Sequence, residues 1–79
     1  MFGPDEIEAR VRQQPFVPFR IVTSSGESYD VVDPKLVMIG MREMTVGTPH
    51  KRNPRLFSTL HFVAYNDIAE VHVLSVPTV

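Results

Sequence analysis

The basic segment 50–55 has the residue types that most suggest a binding site. It carries an imidazole and three cations, and the chain has no acidic residue between Met44 and Asn66. Lys and Arg neutralise nucleic-acid phosphates, and aromatic rings such as that of Phe57 stack on bases. Any nucleic-acid contacts are therefore predicted at His50, Lys51, Arg52, Arg55 and Tyr65. The alternative, which we favour, is a solvated loop whose charge keeps the protein soluble.

The other reactive side chains form no catalytic or metal-binding set. The spacing of His50, His61 and His72 matches no zinc ligand motif. Asp30 and Asp33 lie beside a proline, which is typical of strand polarity and turn chemistry. No serine has the glycine context of a nucleophile elbow, and the isolated glycines form no phosphate-binding loop. We therefore expect no enzyme activity, no catalytic residue, no metal and no cofactor.

Length and composition limit the possible functions further. A chain of 79 residues forms one domain with a small core, so a partner helps to bury enough apolar surface. A net charge of −1 gives no strong attraction to nucleic acid or to anionic membranes. The absence of cysteine fits a reducing compartment, and the acids near Met1 are unlike a signal peptide. We expect a cytoplasmic protein that self-associates or binds another protein, with no membrane contact and no evident small-molecule substrate.

The N-terminal part of the chain has a helical pattern over residues 4–14. Pro4 suits the first position of a helix, where its missing N–H costs nothing. Ile7 and Val11 are four residues apart and form one narrow apolar stripe. Pro15 then ends the helix, because the residue before a proline avoids helical backbone angles. The stripe indicates that this helix packs on the rest of the domain.

Residues 19–76 change to a period of two, which predicts strands. Ser25-Gly26 predicts a hairpin turn, Asp33-Pro34 a break or bulge, and Asn66-Asp67 a short turn. We count about five strands after the helix. The predicted fold class for the single domain 1–79 is mainly β (α+β): a helix, then a five-stranded, strongly bent antiparallel sheet or a small barrel. The apolar last strand is predicted to add to another chain by strand pairing through Val71, Val73 and Leu74.

Four segments of this sequence carry a resemblance to a known group of proteins. They are the Pro-Phe-x-Pro-Phe run Pro15–Phe19, the segment Gly26–Val32, the Asp33-Pro34 pair and the segment Phe62–Val71. Together they resemble a family of very small uncharacterised bacterial proteins. The family has no established activity, so the resemblance implies little about function.

The order of elements also resembles the SH3-like barrel and, within it, the Sm-like proteins. Those proteins have an N-terminal helix, five bent strands and a short turn before the last strand, and the resemblance implies ring assembly and RNA binding. This chain departs from the bacterial Sm-like RNA chaperone, because Tyr65-Asn66-Asp67 stands where that protein has a Lys-His pair. We therefore predict a small non-enzymatic interaction or assembly module that forms oligomers. The alternative is an Sm-like RNA-binding protein that uses the loop 50–55.

Overall fold

The computed structural model describes residues 2–74, which form one helix, six strands and two short 3-10 turns. The 3-10 turns are Pro34–Leu36 and Tyr65–Asp67. The elements are α1 (Pro4–Arg12), β1 (Phe19–Thr23), β2 (Ser28–Val31), β3 (Val37–Ile39), β4 (Glu43–Pro49), β5 (Phe57–Ala64) and β6 (Ile68–Val73). The predicted end of the last strand, residues 75 and 76, lies outside the described residues.

The strands form two three-stranded antiparallel sheets with the orders β2-β1-β6 and β3-β4-β5. The predicted five-stranded sheet is therefore wrong, because there are six strands and no sheet contains five of them. The predicted SH3-like or Sm-like barrel is wrong as well, because the two sheets do not close on one another.

The Asp33-Pro34 pair explains why the predicted sheet divides into two. The Asp33 carboxylate accepts a hydrogen bond from the Lys35 backbone N–H at 2.8 Å, which caps a 3-10 turn that starts at Pro34. Pro34 has no N–H to donate to a strand ladder. The chain therefore stops being a strand between β2 and β3. The part before the turn pairs with β1, and the part after it pairs with β4.

The core lies between the inner faces of the two sheets and the helix. Ile7 is fully buried and attaches α1 to this core, while Val11 packs against it from the edge. The helix ends at Arg12, two residues earlier than predicted, because the backbone of Gln13 is already extended. The buried hydrophobic side chains among the described residues are Ile7, Phe19, Ile21, Val31, Met44, Val46, Val63, Tyr65 and Ile68.

The two longest strands, β4 and β5, form the hairpin that carries the candidate site. Their register places Met44 opposite Val63, and both of these side chains are buried in the core. Side chains alternate between the two faces of a strand. Thr45 and its partner Phe62 therefore point away from the core, onto the outer face of the second sheet.

Candidate interaction surface

The outer face of the second sheet carries a row of exposed apolar side chains. Met38 on β3 lies opposite Thr45, which lies opposite Phe62 on β5, so all three share one row across the sheet. Leu60 precedes Phe62 by two residues and therefore lies on the same face of β5. We call the set Met38, Phe57, Leu60 and Phe62 the apolar face.

Phe57 reaches this face because β5 contains a bulge. Thr48 pairs with Thr59 and Pro49 pairs with Phe57, which leaves Ser58 as the extra residue. The Ser58 hydroxyl donates to the Thr48 carbonyl at 3.2 Å and holds the bulge in place.

Gly47 gives the Phe57 ring its place on the sheet. A Cβ added at Gly47 would lie 2.7 Å from two atoms of the Phe57 ring. The ring therefore rests directly on the backbone of β4, where no other residue would leave room for it. This contact is consistent with the exposure of Phe57, which at 45% is lower than the 68% of Phe62.

The amount of exposed apolar surface is large for so small a core. Eight large hydrophobic side chains are exposed in the part of the chain that the structure describes, against nine that are buried. Four of the eight form the apolar face. Contiguous apolar patches of this kind mark interaction surfaces on soluble proteins. The second sheet therefore offers the strongest candidate site of the described residues.

The edge next to the apolar face carries no charged side chain that would hinder pairing with another chain. β5 is the outermost strand of its sheet and pairs with β4 alone. Edge strands normally carry Lys, Pro or inward-pointing charges that prevent pairing with other chains. β5 contains none of these side chains, and the bulge at Ser58 is the one feature of the strand that interrupts its ladder.

The predicted basic loop lies at the far end of the β4–β5 hairpin and is held in a defined conformation. The Nδ1 atom of His50 accepts hydrogen bonds from the backbone N–H groups of Arg52 and Asn53, both at 3.2 Å. The Asn53 side chain in turn accepts from the Arg55 N–H at 3.4 Å. His50 thus serves as a hydrogen-bond acceptor that stabilises the turn.

The cations of this loop point into solvent. Lys51, Arg52 and Arg55 are exposed, and none of the ion pairs within residues 2–74 involves them. The structure does not bring Tyr65 to the same surface. Its ring is buried in the core, and its hydroxyl donates to the Gly40 carbonyl at 2.7 Å. A base cannot stack on this buried ring, so Tyr65 does not belong to a nucleic-acid contact surface.

The predicted strand-pairing residues lie on β6 or directly after it. β6 is the edge of the first sheet, with Val71 half-buried against the core and Val73 exposed. Leu74 follows the strand, and its N–H donates to the Pro18 carbonyl at 2.9 Å. Glu70 lies on this strand and carries a charge of the kind that β5 lacks.

The histidines occupy separate environments, and His50 is the turn acceptor described above. His61 packs against Tyr29, with ring centroids 4.8 Å apart, and His72 lies 3.6 Å from Glu70. Residues 2–74 contain no group of three or more His, Cys, Asp or Glu side chains placed to hold a metal ion.

The predicted acid pair has structural contacts. Asp30 receives two hydrogen bonds from the Arg20 guanidinium, at 2.6 and 3.1 Å, and these bonds lower the pKa of the carboxyl group. Asp33 caps the 3-10 turn. Both carboxylates therefore accept hydrogen bonds that stabilise the fold.

None of the four members of the apolar face was among the predicted site residues, although Phe57 was named as a ring that could stack on a base. The spacing of Leu60 and Phe62 signalled a shared face, but it did not show that this face points away from the core. Met38, Met41 and Met44 follow one another at intervals of three residues, but they do not share a face. Met44 is buried, and the other two are exposed.

No described helix has the length and apolar character needed to cross a bilayer. Comparison with protein-family models, with curated proteins and with solved structures found no match. The resemblances to the small bacterial family and to the Sm-like proteins gain no support from these comparisons. The geometry of the site is therefore the basis for assigning a function.

Proposed function

We propose that this protein is a non-enzymatic assembly module of the cytoplasm that self-associates through the apolar face. The observation that carries the proposal is the exposure of Met38, Phe57, Leu60 and Phe62 side by side on one sheet. Covering these side chains removes apolar surface from water, which favours association. A small core makes this gain important, because a domain of this size buries only about 60% of its unfolded surface.

The charges around the apolar face are complementary to those of a second copy of the chain. The basic loop lies at one end of the β4–β5 hairpin. Glu43 lies at the opposite end, where it pairs with Ala64, and Asp67 follows in the adjacent 3-10 turn. Two copies stacked face to face with antiparallel strands place each basic loop near the acids of its partner. Such a two-fold contact uses the same patch on both copies and closes on itself.

The proposal is tested by following backbone amide signals by NMR while the protein is diluted. We expect the signals of Met38, Leu60 and Phe62 to shift with concentration, because these residues leave the interface on dissociation. The exposed side of α1, for example Ala9, serves as the internal control and should not shift. A spectrum that is constant over the whole range, or shifts confined to the basic loop, would contradict the proposal.

A second candidate function is nucleic-acid binding by the basic loop. It is favoured by the exposure of Lys51, Arg52 and Arg55 without an ion-pair partner among residues 2–74. The test is titration of fluorescent single-stranded RNA at low and at physiological salt, with a variant in which all three cations are replaced by Gln. Phosphate contacts predict binding that weakens steeply with salt and is lost in the variant. No binding at low salt would exclude this function, and binding that does not depend on salt would contradict contacts between the three cations and phosphates.

A further inference from the structure

A groove lies beside the apolar face and shares Phe57 with it. It opens between the 3-10 turn that precedes β3 and the end of the β4–β5 hairpin, and its volume is about 630 Å³. Sites that hold small molecules or peptide side chains commonly have volumes of about 300–1,000 Å³. The lining residues are Val32, Asp33, Lys35, Leu36, Pro49, Pro54, Arg55 and Phe57.

The groove combines an apolar floor with two cations. Val32 is exposed within it although its side chain is apolar, and Phe57 is anchored on the backbone beside Gly47. The cations are Lys35 and Arg55, and neither takes part in an ion pair within residues 2–74.

The single acid of the groove, Asp33, has one of its oxygens in a hydrogen bond of the fold. Its carboxylate accepts the hydrogen bond from the Lys35 backbone N–H that caps the turn. A ligand therefore meets apolar surface, two cations without an ion-pair partner among residues 2–74 and one carboxylate, so the groove has a net charge of about +1.

The walls of the groove are held in place before any ligand arrives. Pro49 and Pro54 have fixed φ angles, and the loop between them is tied by the hydrogen bonds to His50 and Asn53. A preformed site loses less conformational entropy on binding than a flexible one does. The position of the Arg55 backbone is set by the same hydrogen bonds.

We propose that this groove binds an acidic peptide segment of a partner protein. An aliphatic or aromatic side chain of the segment packs between Val32, Pro49 and Phe57. Flanking carboxylates pair with Lys35 and Arg55, and a guanidinium is well suited to bind a carboxylate through two hydrogen bonds. Buried apolar anchors with Arg at the contact are typical of protein interfaces. The groove extends beyond the self-association surface, because Met38, Leu60 and Phe62 do not line it.

The experiment measures fluorescence anisotropy of a labelled peptide, Glu-Glu-Leu-Phe-Glu-Glu, with a peptide carrying Lys in place of Glu as control. The key protein variant is Arg55→Glu, and the matched control is Lys51→Glu. Lys51→Glu makes the same charge change in the same loop but does not alter the lining of the groove. We expect Arg55→Glu to weaken acidic-peptide binding at least about tenfold, Lys51→Glu to weaken it less than about threefold, and the Lys peptide not to bind.

A second variant, Val32→Asp, places a carboxylate on the apolar floor and should also abolish binding. Val32 is exposed, so this change leaves the core intact and keeps the test valid if Arg55→Glu does not fold. Met41→Ser, which lies outside both the groove and the apolar face, should bind the peptide as the wild type does. Equal losses in Arg55→Glu and Lys51→Glu would overturn the proposal. Tighter binding of a single-stranded RNA that displaces the peptide would overturn it as well.

Discussion

Replacing Phe62 by Ser tests whether the apolar face is an interface. The Phe62 side chain is 68% exposed, so about two thirds of it remain to be buried by a partner. Full burial of a phenylalanine side chain is worth about 1.5–3 kcal/mol, which gives about 1–2 kcal/mol for the exposed part. A two-fold interface contains the residue twice, and the loss becomes about 2–4 kcal/mol for each dimer. We therefore expect the dissociation constant to rise roughly 30-fold to 1,000-fold.

Met41 provides a matched control for this change. It is 90% exposed and lies in the turn between β3 and β4, outside the apolar face. Sedimentation equilibrium of the wild type, Phe62→Ser and Met41→Ser measures the association constant of each protein. Phe62→Ser should also keep the monomer fold, because only a third of the side chain is buried. An association constant of Phe62→Ser within threefold of the wild type would refute the reasoning, as would an equal loss in Met41→Ser.

Three further predictions concern the fold that supports the site. Ile7→Ala should lower the free energy of unfolding in urea by about 2–5 kcal/mol, because the side chain is fully buried; a loss below about 1 kcal/mol would show that α1 is not anchored there. Tyr65→Phe should lower that free energy by about 1–2 kcal/mol, because it removes the hydrogen bond to Gly40, and an unchanged value would contradict this contact. Arg20 lowers the pKa of Asp30, so the pair stabilises the fold above the usual aspartate value of 3.8, and this stability is lost as pH falls through the lowered pKa. Asp30→Asn should therefore lower stability near pH 7 by less than about 1 kcal/mol, since the pair is exposed, and should flatten the acid limb of the stability curve; a limb as steep as that of the wild type would contradict this.

The helix and the first hairpin could be predicted from residues that are close together in the chain. The stripe of Ile7 and Val11 identified the helix, and the turn residues Ser25-Gly26 identified the β1–β2 hairpin. Gly26 has a φ of 91°, a conformation that glycine adopts without strain. Each of these features depends on residues close together in the chain, which a sequence displays directly.

The division into two sheets depended on one turn and was not predicted. Asp33-Pro34 was expected to break a strand or form a bulge, and it forms a capped 3-10 turn that sends the chain from one sheet to the other. Which sheet each strand joins is decided by contacts between distant segments. The spacing of residues along the chain does not contain that information.

The candidate site shows the same limit. Tyr65 was predicted to stack on a base beside the basic loop, but its ring is buried. Val63, two residues earlier, points into the core, and the period of two places Tyr65 there as well. The same period groups Leu60 with Phe62, but alternation alone does not reveal which face of a strand is covered. The groove next to Arg55 joins segments that are far apart in the chain, and only the folded structure brings them together.

The most direct test of the central claim is the mass of the unmodified protein over a wide range of concentrations. Sedimentation equilibrium from low micromolar to millimolar protein is suitable, because weak and strong association both fall within that range. If the apolar face mediates self-association, the measured mass should rise reversibly with concentration from the monomer value of 9.0 kDa to twice that value. A mass that stays at the monomer value up to the highest concentration would contradict self-association through the apolar face.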